Sequence, residues 1–72
     1  MGDFKTRLVD ELIELRKKRM KLEDFLNTVD FASLSRNQRG LLQAQAGAMI
    51  EYEQILKLRL DDLGVDYANQ IH

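Results

Sequence analysis

The 72-residue chain has no cysteine, no proline, four glycines and one histidine, His72, at its very end. Without cysteine there is no disulfide, and a lone histidine cannot build a structural metal site. Small scaffolds otherwise gain stability by association. A chain this short buries only roughly 60% of its unfolded surface, so elimination leaves a homo-oligomer or a partner as the expected source of the remaining stability. No cofactor is expected.

Charge of one sign is also missing. Eleven basic residues stand against twelve acidic ones, so no overall field draws the chain to nucleic acid or to an anionic membrane, and both are unexpected as partners. No apolar run approaches the roughly 20 residues that span a bilayer, and the start carries no basic segment followed by an apolar core. A cytoplasmic location is expected. Low-complexity tracts and solenoid repeats are absent from the sequence.

What is present is helical spacing. Phe4, Leu8, Leu12, Leu15, Leu22 and Leu26 fall at steps of three and four with one seven-residue gap, and Val9, Ile13 and Met20 form a second row. This spacing predicts a helix over about 3–27, capped by Asp3. The stretch 28–34 breaks the pattern and predicts a loop. Ser35 and Gln38 have capping-box spacing and open a second helix, about 35–63, whose expected inward stripe is Leu42, Met49, Tyr52, Leu56 and Leu63. Gly64 supplies its left-handed stop, and residues 64–72 form a short tail. The expected fold is all-α: an antiparallel two-helix hairpin, one domain over 1–72, assembling into a homo-oligomeric helical bundle because two helices cannot cover both apolar faces.

Three polar residues interrupt the stripes. Arg19 fills the gap in the first; Gln45 and Arg59 fill gaps in the second. With a turn near residue 31, Arg19 lies opposite residues 45–49 and Arg59 lies near Glu11. A buried guanidinium needs a partner. Arg19 therefore either bonds Gln45 or a carboxylate across an oligomer interface and fixes register, or lines with Gln45 a pocket for an anionic ligand at a subunit interface. Arg36 and Arg39 fall in the first turn of the second helix, where free amides and two guanidinium groups form an anion seat. Tyr67, in the tail, either covers a bound base or packs on a neighbour. The candidate ligand-binding residues are thus Arg19, Arg36, Arg39, Gln45 and Tyr67.

Within LLQAQAGAMIEY, residues 41–52, small side chains replace the bulk of an ordinary core helix. Gly40, Ala44 and Ala48 recur at four-residue steps with Gly47 beside them. Small residues let another backbone approach closely, so Gly40, Ala44, Gly47, Ala48, Met49 and Tyr52 are the expected intersubunit contact. The run RKKRMK, residues 16–21, has no interleaved aromatic and reads as a solvated face. Adjacent acidic pairs such as Asp10/Glu11 and Asp61/Asp62 point about 100° apart on a helix. They read as surface, so no catalytic or metal residue is expected and the chain is not read as an enzyme.

KTRLVDELIELRKKRMKLEDFL followed after a short loop by LLQAQAGAMIEYEQILKLRL resembles a group of small helical-hairpin proteins of tailed phages and prophages, with relatives in crAss-like phages. Lys21, Leu22, Phe25 and Leu26 match the end of the first helix. Leu41, Leu42, Gln45, Met49, Tyr52, Ile55, Leu56 and Arg59 match the second. The resemblance covers about residues 5–60; Gly47 and the tail beyond Gly64 depart from it. It implies a phage origin, hence the host cytoplasm, and a counter-defence role. The expected function is binding and sequestration of a small anionic, cyclic nucleotide immune signal at subunit interfaces. The alternative is a helical interaction module that inhibits or adapts a host protein.

Overall fold

The computed structural model describes residues 3–70. Three helices follow one another: α1, Phe4–Leu26; α2, Val29–Ala32; and α3, Arg36–Asp62. α1 and α3 lie against each other as the two arms of a hairpin. The whole measures 46 × 20 × 17 Å, so the helices form a single layer with both broad sides open. His72 and the last residues of the tail lie outside the described residues.

The helix ends follow from local chemistry. Asp3 accepts from the Lys5 amide at 3.0 Å and starts α1. The stretch expected to be a loop contains one helical turn, because Thr28 caps it by accepting from the Phe31 amide at 3.1 Å. Phe31 is then buried edge-on against Phe25, with ring centres 6.0 Å apart. Ser35 Oγ accepts from the Gln38 amide at 3.1 Å and starts α3.

At its far end, Gly64 takes φ 70°, the Gly64 amide donates to Asp61 and the Val65 amide to Leu60. This paired closure satisfies carbonyls that the last turn would leave free. It also turns the tail back, so that Val65 and Tyr67 pack on the core.

That core is Leu8, Val9, Leu12, Leu56 and Leu60, with Ile13, Leu15 and Leu63 around it. Phe4 and Met20, expected to be inward, are about half exposed. The larger correction concerns α3. Its buried residues are Ala46, Glu53, Leu56 and Leu60, with Leu42, Met49 and Leu63 half-buried. Tyr52, Gln45 and Arg59, placed in the stripe by spacing, are exposed.

Two seven-residue series share Leu42, Met49, Leu56 and Leu63 and differ only in 45/52/59 against 46/53/60. The first would bury Arg59 and Gln45. The second buries Ala46 and Leu60, leaving one charge, Glu53, to be matched. The hairpin adopts the second because a partner for Glu53 is at hand on α1.

Candidate functional site

That partner is Arg19. Its Nε donates to one Glu53 oxygen, its Nη2 reaches the other at 3.3 Å, and its Nη1 bonds Glu23 one turn along α1 at 2.6 Å. Glu53 is 4% exposed, Arg19 16% and Glu23 40%. The forked guanidinium meets the carboxylate two-to-two, the strong geometry for this pair. The Glu53 bond holds the Arg19 guanidinium above its ordinary pKa despite burial, with the charges of Glu53 and Glu23 adding to it.

Arg19 is thus an inward-facing residue that fixes register, and its carboxylate lies on the same chain. Gln45 is exposed and is not its partner. Arg59 likewise does not meet Glu11, which instead accepts from the Tyr52 hydroxyl. That bond ties the exposed edge of α3 to α1, so Tyr52 serves the hairpin itself.

Arg36 and Arg39 come together with Phe31, Gly40 and Gln43 around an open depression of about 380 Å³. A neighbouring depression is lined by Arg36, Asn37, Gly40 and Leu41. The short turn α2 is what delivers Phe31 to this place. Ser35 directs the chain so that α3 begins under it. The space at Gly40 is open, and a Cβ there would meet nothing within 4 Å.

Among the described residues no carboxylate lies within ion-pair distance of Arg36 or Arg39, and the buried Nε of Arg39 has no acceptor. The first turn of α3 carries no acidic residue. Guanidinium donors, the positive end of the helix and an aromatic edge converge here, and together they favour an anion that also has a flat, apolar part. Phe31 and Gln43 were not legible as members of this seat, because their place depends on the one-turn helix inside the expected loop.

The other expected site residues lie elsewhere. Tyr67 is half-buried at the opposite end of the hairpin, where burial first, and then the charge and hydrogen bonding of Asp61, raise its hydroxyl pKa above the ordinary value. Gly40, Ala44, Gly47 and Ala48 are exposed, while Met49 is half-buried within the hairpin. Among the described residues no group of three or more acidic or histidine side chains is placed to hold a metal. No helix there is long and apolar enough to cross a membrane.

Fold and seat together define a small all-helical hairpin with an arginine-lined pocket at the start of its second long helix. The chain belongs to the Sequestin family, whose model matches residues 2–62. The family name points to sequestration of a ligand. No curated protein and no solved structure matches the chain.

Proposed function

We propose that the protein is a phage-encoded counter-defence factor that sequesters a small anionic nucleotide, cyclic in form, with its phosphate on Arg36 and Arg39 and its base beside Phe31. The observation that carries this reading is the convergence of two unpaired guanidinium groups and an aromatic ring on one open depression, in a chain whose family is named for sequestration. The depression falls within the 300–1,000 Å³ range of small-ligand sites, but it is open on one side. A second copy closing that side would complete it. No chemical step is required of the protein, which acts by lowering the free concentration of its ligand.

Calorimetry with cyclic dinucleotides, cyclic trinucleotides and ADP-ribose derivatives tests this directly. Binding by the wild type, weakened by Arg36→Ala and by Arg39→Ala, is the expected result. Each lost charged hydrogen bond is worth about 1.5–3 kcal/mol, or roughly ten- to a hundredfold in affinity. A folded wild type that binds none of the panel, or arginine variants that bind as tightly as the wild type, would overturn the assignment.

A further inference from the structure

The depression at the start of α3 is lined by Phe31, Arg36, Arg39, Gly40 and Gln43. Their side chains differ in what they can offer a ligand. The two guanidinium groups only donate hydrogen bonds, Phe31 offers an aromatic edge, and Gly40 offers space. Of these residues, Gln43 alone carries a donor and an acceptor side by side. It is exposed and makes no side-chain hydrogen bond among the described residues, so both halves of its amide are open to a ligand.

The order along the helix matches the order along a nucleotide. Arg36, Arg39 and Gln43 are spaced by three and four residues and so share one face of α3. At about 1.5 Å per residue, Gln43 lies about 6 Å beyond Arg39 and about 10 Å beyond Arg36. A phosphate held at the positive end of the helix therefore sets the base one turn further in, with its flat side toward Phe31 and its edge toward Gln43. The other amide nearby, that of Asn37, lines the neighbouring depression with Leu41 instead.

We infer that Gln43 is the specificity-determining residue of the seat and that, among purines, it selects adenine over bases with a carbonyl at position 6. This inference rests on the sequestration reading and adds to it the base that is read. An amide pairs two-to-two with adenine, accepting from the N6 amine and donating to N7. Guanine and hypoxanthine carry an oxygen in place of that amine, so the Gln43 carbonyl would face a second acceptor. Arg36 and Arg39 hold the phosphate whichever base is attached. They supply affinity, and Gln43 supplies choice.

Calorimetry with two matched pairs of ligands tests this: cyclic di-AMP against cyclic di-IMP, and cyclic ADP-ribose against cyclic inosine diphosphate ribose. Within each pair the group at position 6 of the purine changes from nitrogen to oxygen. The wild type should bind the adenine member of at least one pair roughly five- to a hundredfold more tightly, the worth of one bidentate base contact. Gln43→Leu should keep the helical circular dichroism, still bind through the two arginines, and lose the preference, its affinity for the adenine member falling to that for the partner. A wild type that binds both members alike, or a Gln43→Leu protein with the preference intact, would overturn the inference and leave the sequestration reading standing. Absence of binding by all four ligands is the failure of that reading itself, and the inference falls with it.

Discussion

Replacing Glu53 by alanine should destabilise the hairpin strongly. Glu53 is 4% exposed and receives two hydrogen bonds from Arg19, itself 16% exposed. Removing it strands a guanidinium whose one remaining partner, Glu23, is 40% exposed and largely screened by solvent. Breaking a buried pair from one side costs about 3–5 kcal/mol. Because Glu23 persists and Arg19 keeps some access to water, the lower end, about 3 kcal/mol, applies. At roughly 4–8 °C per kcal/mol for a domain of this size, the midpoint should fall by about 12–24 °C. Thermal melts followed by circular dichroism, at one fixed protein concentration, measure this. The double variant Arg19→Met with Glu53→Leu removes both charges and fills the space with apolar atoms; it should stay within about 1 kcal/mol of the wild type. A Glu53→Ala protein that loses less than about 1 kcal/mol, or a double variant as unstable as the single one, would refute the view that this pair is a matched, buried unit.

Three further outcomes are expected. Gly64→Ala puts a Cβ on a residue at φ 70° and should destabilise by about 1 kcal/mol, read as a lower urea midpoint with an unchanged slope. Gly47→Ala should instead stabilise by about 1 kcal/mol, because the added Cβ meets nothing within 4 Å and helix propensity rises. Tyr67 should ionise above the ordinary tyrosine range, by ultraviolet titration. Its raised pKa means the folded state holds its proton longer, so the stability it contributes is present below the ordinary tyrosine pKa and is lost as pH rises through the folded value. Tyr67→Phe should remove that part of the alkaline loss.

The two long helices were legible in the sequence because their starts and stops are chemically marked, by Asp3, Ser35 and Gly64. The inward face of α3 was not. Leu42, Met49, Leu56 and Leu63 belong to two competing series, and spacing alone ranks Tyr52 above Glu53. Only a match between chains resolves it: Glu53 can be buried where Arg19 waits for it, whereas Arg59 has no such acceptor. A carboxylate at a heptad position opposite an arginine at a heptad position was the available signal. The seat was half legible. Arg36 and Arg39 announce themselves at the helix start, but Phe31 reaches them through a turn whose only mark is Thr28, three residues before it.

The family match ends at Asp62, yet Val65 and Tyr67 pack on the core beyond it. A version trimmed to the matched span would retain both long arms but take Val65 and Tyr67 off the core. It would also free the carbonyls of Leu60 and Asp61 that the Val65 and Gly64 amides now occupy. Comparisons of ligand capture between family members should therefore be made on chains that keep their own extensions, because a shortened hairpin would report its frayed end as though it were weak binding.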